Sequence, residues 1–401
     1  VSRIDDLIAK HCPDGVRHVA LSEVAEYSPT RVDAADLDGT SFVGVDNLVA
    51  EKGGRINASY LPNTTRLTAY ESGDILLGNI RPYLKKVWLA SNSGGCSGDV
   101  LAIRIKQAAQ TSLTPEFLYY ALSSDGFFAY NMQHAKGAKM PRGNKAAILN
   151  YVIPVPPLEV QRAIVEVLDT FSKLEAELEA ELEARKQQYE HYRTELLASV
   201  ESAEWSTLGA ISDRVSSGAT PKAGKREFYE GGTIPWLRTG EVTFGEVWDT
   251  EVKITEHALE TTGVSWIKEN CVIIAISGAT AARSAINKIP LTTNQHCCNL
   301  QINEDRADYR FVFYWVSSKY EELKSRGRGA RADLNAKLIK DFAIPVPPLD
   351  EQRRIVTILD SFDSLVNDLS IGLPAELAAR RQQYEYYRDK LLTFKELKAA
   401  A

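Results

Sequence analysis

Apolar positions follow two different periods along this chain. At Ile164, Val167, Leu168, Phe171, Leu174, Leu178 and Leu182, and again at Tyr189, Tyr192 and Leu196, they recur at helical spacing between charged residues. That spacing lines one face of an α-helix. No Gly or Pro interrupts 158–200, so the pattern predicts one helix of about 60 Å at 1.5 Å per residue. Such a helix is too long for one small domain to cover and calls for a partner helix. Elsewhere the apolar residues come in short runs beside Gly-containing turns. GDILLGNI (73–80), VLAIRI (100–105), NCVIIAISG (270–278) and CNLQI (298–302) predict buried strands. PEFLYYALSS (115–124) and YRFVFYWVSS (309–318) predict short apolar helices. This succession suggests two compact α+β regions.

The pattern is written twice. IPVPPLEVQRAIVEVLDTFSKL (153–174) and IPVPPLDEQRRIVTILDSFDSL (344–365) agree at 14 of 22 positions, at an offset of 191. ARKQQYEHYRTELL (184–197) matches ARRQQYEYYRDKLL (379–392) at an offset of 195, so the second copy holds four extra residues between its blocks. Weaker echoes join LYYALSS (118–124) to FYWVSS (313–318), and GAKMPRGNKAAI (137–148) to GARADLNAKLI (329–339). Pro156–Pro157 and Pro347–Pro348 suit the end of an extended segment and the first turn of a helix. Gly372 and Pro374 predict a break in the second helical region. LEAELEAELEA (174–184) in the first region is built from strong helix formers. The layout is therefore 1–152 globular, 153–204 helical, 205–343 globular and 344–401 helical.

Composition and charge refine this. The 401 residues are 44% apolar and 25% charged, an ordinary globular mixture. The net charge of −6, from 47 basic and 53 acidic side chains, does not by itself announce a nucleic-acid binder. Partitioned, it changes meaning. Residues 158–204 sum to −7 (5 basic, 12 acidic) and 349–401 to −1 (8 basic, 9 acidic), so the remainder carries +2. That positive charge is clustered. Lys136, Lys139, Arg142 and Lys145 fall within ten residues without an acid. Residues 324–340 hold six cations, Arg326, Arg328 and Arg331 among them, opposed only by Asp333. Arg81, Lys85 and Lys86 group in the first globular region; Lys222, Lys225 and Arg226 group in the second. Trp236 sets an aromatic ring close to Arg238, and Arg283 completes the second set. Glycines beside cations let backbone N–H groups approach phosphates, and Arg can fork onto guanine edges.

Catalytic signatures are missing. GATPKAGKR (218–226) has five residues between its glycines, and Arg226 stands where a phosphate loop needs Ser or Thr. It reads as an exposed basic turn. GNIRPY (78–83) lacks the paired prolines of an NPPY motif and reads as a turn with Arg81 exposed. No GxSxG, HExxH or EF-hand pattern occurs. Cys12, Cys96, Cys271, Cys297 and Cys298 form no CxxC and read as reduced thiols of a cytoplasmic protein, with no metal site. No apolar run is long enough to span a bilayer, and VSRIDDLIAK at the start is unlike a secretory signal.

PVPPLEVQRAIVEVLD, PVPPLDEQRRIVTILD and GLPAELAARRQQYEYYRDKLLTF resemble the helical regions of specificity subunits of Type I restriction-modification systems. The resemblance extends over essentially the whole chain. It implies an α+β fold: two duplicated globular target-recognition domains separated by long helices that pair as an antiparallel coiled coil with pseudo-two-fold symmetry. It also implies a non-catalytic subunit that reads a split site in double-stranded DNA. Two modification (methyltransferase) subunits would dock on the helices, and restriction (translocase/endonuclease) subunits could join them. S-adenosylmethionine, ATP and magnesium would sit on those partners, with no cofactor in this chain. The clustered cations and Trp236 are then the DNA-binding candidates. Leu174, Leu178, Leu182, Tyr189, Tyr192, Leu365, Leu369, Tyr384 and Tyr387 are the candidates for helix pairing or partner contact, with pairing favoured for the tyrosines. A rival reading, a duplicated coiled-coil adaptor that binds only proteins, explains the helices but not the matched basic loops.

Overall fold

The computed structural model describes residues 2–327, 333–367 and 371–397. Arg328, Arg331 and Leu369 lie outside the described residues. The chain divides into two compact units, Val1–Glu179 with Glu376–Ala401, and Ala180–Ala375.

In the first unit, the strand Arg17–Ala20 pairs antiparallel with Val152–Val155, His18 opposite Pro154. The globular region thus opens and closes on one ribbon, directly before the double proline. One four-stranded antiparallel sheet runs Ala25–Tyr27, Val100–Ile105, Ile75–Gly78, Val87–Leu89. A second runs Arg31–Asp33, Arg66–Tyr70, Gly94–Cys96, Phe42–Val43, its last pair parallel. The two-residue period of a strand decides what each side chain meets. Ile75 and Leu77 join Ile103, Phe117, Leu118, Ile164 and Leu168 in one core. Leu76, between them, joins Ala102, Tyr70 and Cys96 in another. The helix Pro115–Leu122 begins on Thr114, whose side chain accepts from Phe117 N, with Pro115 in the first turn.

The second unit repeats the plan. Trp205–Thr207 pairs antiparallel with Ala343–Pro345. A five-stranded sheet runs Ser212–Ser217, Cys297–Ile302, Val272–Ala275, Ser284–Asn287, Glu246–Val247. A four-stranded sheet runs Lys253–Ile254, Ile234–Leu237, Leu291–Thr293, Trp266–Ile267. The helix Tyr309–Ser318 is capped by Asp308 and buries Phe311 through Val316.

A buried glutamine fixes the helical region to the globular one in each unit. Gln161 Nε2 donates to Pro156 O and Ser112 O, both at 2.7 Å, and its Oε1 accepts from Thr114 N at 3.0 Å. Gln352 Nε2 donates to Pro347 O at 2.8 Å, and its Oε1 accepts from Asp308 N at 2.8 Å. About two turns further along each of these helices, Tyr120 Oη donates to Asp169 and Tyr314 Oη to Asp360, each at 2.6 Å. The shared Gln and Asp of the repeat are therefore latches between segments far apart in sequence.

The first helical region is one helix, Leu158–Ser199, 42 residues long. The second is two helices, Leu349–Asn367 and Leu373–Leu391; Gly372 and Pro374 fall at the start of the latter. In the first unit Phe171 stacks on Tyr387 at 5.6 Å and tilts against Tyr384 at 6.3 Å. Arg381 bonds Glu175 at 2.6 Å and also pairs with Glu179. In the second unit Phe362 stacks on Tyr192 at 5.4 Å and tilts against Tyr189 at 6.4 Å. Each unit therefore packs the Phe-bearing block of one copy antiparallel to the Tyr-bearing block of the other. Leu182 packs on the second unit's core, and Leu178 is half-buried. Leu174 departs from expectation: it is 49% exposed, because Glu175 and Glu179 beside it make the contact with Arg381. Leu365 is also exposed.

Candidate nucleic-acid interface

Two loops meet in each globular region, and they are the segments where the cations cluster. In the first, the turn after the strand Ile75–Gly78 lies against residues 136–143. Arg81 N donates to Pro141 O at 2.7 Å, and Gly143 N donates to Asn79 O at 2.9 Å. Ile80 bridges Arg142, and Arg142 bridges Lys136. Arg81 and Lys85 both adopt left-handed backbone, at φ 52° and 48°, a conformation uncommon for residues with a Cβ. Gly143 has no alternative: a Cβ there would stand 2.7 Å from both Asn79 Oδ1 and Asn131 Oδ1. Asn144 then caps the short helix Lys145–Leu149, accepting from Ala146 N and Ala147 N.

The second globular region builds the same junction from different residues. Leu334 N donates to Ile276 O at 2.8 Å, tying the segment before the helix to the hairpin loop after Val272–Ala275. Asn335 caps Ala336–Lys340 by accepting from Leu338 N. Hence the repeated Asn of GNKAAI and LNAKLI is a helix cap in both copies.

The cations differ in how much of their charge is free. Among the described residues, Arg81, Lys136, Lys139, Lys145, Lys222 and Arg283 have no carboxylate partner. Lys136, Lys139, Lys145 and Lys222 are exposed. Lys145 also lies over the Tyr27 ring, with Nζ 6.0 Å from its centroid. Arg81 is half-buried rather than exposed, because its backbone is tied to Pro141. Arg283 faces the Phe244 ring at 5.9 Å, and its buried Nε has no acceptor. Arg142 is held by Asp99 at 3.0 Å, which raises its pKa above the ordinary guanidinium value. Lys225 pairs with Glu227 at 2.9 Å, and Arg238 with Glu241 and Glu251. Arg326 bonds Glu322 at 2.6 Å and covers the Phe342 ring at 4.6 Å.

Two candidates stand apart from the expectation. Trp236 is 5% exposed, and its indole N–H donates to Ala219 O at 3.1 Å. Its ring is core, packed with Phe228, Ile254 and Val264, and offers no face to a base. Lys85 is half-buried and bonds Asp125 at 3.0 Å, so its charge is largely spent inside the protein. Asp125 also accepts from Lys52 at 3.2 Å and from the fully buried Arg388 at 2.7 Å. Sequence reasoning missed Lys52, Asp125 and Arg388, which lie far apart in the chain and carry no local motif. Gln161 and Gln352 were findable, as identical residues in both copies of the repeat.

All five cysteines are buried free thiols, and burial pushes Cys271 up to about 11 and Cys297 to about 12. Among the described residues no group of His, Cys, Asp and Glu is placed to hold a metal ion, and no helix is long and apolar enough to cross a membrane.

Comparison with solved structures places the fold. The fold is shared with a subunit from a structural study of the assembly and conformational transition of a type I R-M system (TM-score 0.67, 23% identity, 95% of this chain and 98% of that one). It is shared too with the HsdS subunit of Thermoanaerobacter tengcongensis (TM-score 0.52, 23% identity, 95% and 97%). The sequence then places the chain. Residues 13–184 and 202–379 each match the family described as Type I restriction modification DNA specificity domain. The chain belongs to that family and carries two copies of its domain. It is 38% identical over 248 residues to the EcoR124I/EcoR124II specificity subunit of Escherichia coli, a match over 60% of this chain and 61% of that relative's length. It is 31% identical over 295 residues to a type I restriction enzyme specificity subunit of Haemophilus influenzae, over 70% and 73%.

Proposed function

We propose that this chain is the non-catalytic DNA-recognition subunit of a Type I restriction-modification complex. Each globular region reads one half of a bipartite site in double-stranded DNA. The helical regions dock two adenine-N6 methyltransferase subunits and set the separation of the half-sites; restriction subunits are further partners that the family resemblance allows. S-adenosylmethionine, ATP and magnesium belong to those partners. The reading is of a cytoplasmic protein, in keeping with five free buried thiols.

One observation carries this reading: the same two-loop junction is built in both globular regions, by Gly143 N to Asn79 O and by Leu334 N to Ile276 O. Among the described residues, Arg81, Lys136 and Lys139 at the first junction and Arg283 in the hairpin loop of the second have no carboxylate partner. A protein-only adaptor has no use for paired junctions of this kind, whereas a two-part DNA site calls for two readers. The experiment is co-expression with the methyltransferase of the neighbouring open reading frame, co-purification, and genome-wide mapping of N6-methyladenine. A stable complex that methylates an interrupted two-part sequence is expected. Failure to co-purify, or methylation of an uninterrupted sequence, overturns the proposal.

A further inference from the structure

The second unit contains a cleft of about 570 Å³ that is separate from the loop junction. Its floor is the face of the five-stranded sheet that turns toward the four-stranded sheet, where Cys271 lines the cleft. Ser216 lies opposite Asn299 and Arg214 opposite Gln301, and all four line the cleft. Alternation along the strand sends Leu300 to the core behind and Asn299 into the cleft. Its wall is the edge strand Trp266–Ile267 of the other sheet, followed by Lys268 and Glu269.

Three features make this more than a gap. First, Asn299 is 2% exposed. Its Nδ2 donates to Thr293 Oγ1 at 2.8 Å, and its Oδ1 has no partner. A buried amide oxygen left unpaired is costly and calls for a donor. Turning the amide over leaves the nitrogen unpaired instead, so one orphan atom persists either way. Second, Trp266 is 42% exposed, an aromatic surface placed over a polar floor. Third, Arg214 and Lys268 are exposed and, among the described residues, have no carboxylate partner. Glu269 adds one acid to the rim.

The cleft is also away from the proposed DNA loops. The hairpin loop begins at Ile276, beside the end of the sheet where Ala275 faces Cys297. Gln301 is four residues further along that strand, about 14 Å at 3.4 Å per residue.

We propose that this cleft binds a free nucleoside monophosphate whose base bears an exocyclic amine. The base stacks on Trp266, the amine donates to Asn299 Oδ1, and Arg214 with Lys268 holds the phosphate. The site is independent of the reading of the loops as a DNA interface.

The test is calorimetric titration of the full chain with AMP, adenosine and N6,N6-dimethyl-AMP, which keeps the ring and phosphate but has no donor on the exocyclic nitrogen. Saturable AMP binding is expected, at least tenfold weaker for adenosine and for the dimethyl analogue. Trp266→Ala and Arg214→Ala, both surface changes that leave the core intact, are each expected to weaken AMP at least tenfold. No saturable binding up to millimolar AMP overturns the proposal, as does binding unchanged in both variants. Stoichiometric displacement of AMP by a short DNA duplex overturns the free-nucleotide assignment, because the cleft would then hold a nucleotide of the DNA strand.

Discussion

Arg388 has no exposed surface, and its Nη2 donates to Asp125 Oδ2 at 2.7 Å. Among the described residues its buried Nη1 has no acceptor, so its charge is met by two carboxylates, Asp125 and Asp389, and by the Tyr384 ring, 5.7 Å from its Cζ. Lys85 and Lys52 bond the same Asp125. A turn of the first globular region is thereby tied to the helix Leu373–Leu391 through one carboxylate.

Removing that carboxylate strands a buried charge. Asp125→Ala is expected to destabilise the first unit by about 3 kcal/mol, read from its unfolding transition in scanning calorimetry. Arg388→Met, which removes the buried charge itself, is expected to cost less. Equal losses in the two variants would contradict this account.

The same carboxylate sets a pH dependence. Burial pushes the Asp125 carboxyl up, but hydrogen bonds from Lys85 and Arg388 and the charge of Lys52 outweigh it and hold the group below the ordinary carboxylate range. A folded-state pKa below the unfolded one gives stability that is complete above the unfolded value and is lost as pH falls through the folded one. The difference in Tm between the unaltered chain and Asp125→Ala should be constant above about pH 5 and shrink below about pH 4. A difference that grows on acidification would reverse the sign.

Free and committed cations should behave differently toward DNA. Lys139→Ala removes an exposed charge with no carboxylate partner, and should reduce the slope of log K against log salt by about 0.9 if it meets one phosphate. Lys85→Ala, whose charge is spent on Asp125, should lower thermal stability and leave the salt slope nearly unchanged. Competition binding over a salt series, beside melting curves, separates the two.

Gln161 and Gln352 should be among the most sensitive polar positions. Gln161→Leu leaves the Thr114 N–H without its acceptor and the carbonyls of Pro156 and Ser112 without their donor, at about 2–3 kcal/mol. Gln352→Leu should cost a similar amount in the second unit. Denaturant titration followed by tryptophan fluorescence reports chiefly on the second unit, where five of the six tryptophans lie, and near-ultraviolet tyrosine signals report on the first.

Lengthening the long helix tests the spacing role. One further four-residue unit, inserted as AELE between Glu179 and Ala180 so that the repeat runs on in register, falls between the Phe171–Tyr387 and Phe362–Tyr192 pairs, each of which lies within one unit. It adds about 6 Å of helix and about 40° of rotation, close to two base pairs at ~3.4 Å each. The mapped half-sites should move apart by that amount. Unchanged spacing would remove the helix as the ruler.

Much of this protein is local and was readable residue by residue. Helical periodicity marked 158–200, and Gly372 and Pro374 marked the break, because a missing N–H and a fixed φ act on the chain where they stand. Apolar runs marked the strands Ile75–Gly78 and Val272–Ala275 for the same reason. Duplication at two offsets announced two similar halves. What each side chain meets was decided only in three dimensions. That Phe171 finds Tyr387 rather than a tyrosine of its own copy, that Asp125 consumes the charge of Lys85, and that Trp236 lies inside the core depend on partners remote in sequence. The sequence by itself determined where the elements run and that they run twice, since backbone preference and periodicity are properties of neighbours. Tertiary structure alone decided which charges remain free and which rings are exposed, since burial and pairing depend on what the folded chain brings alongside.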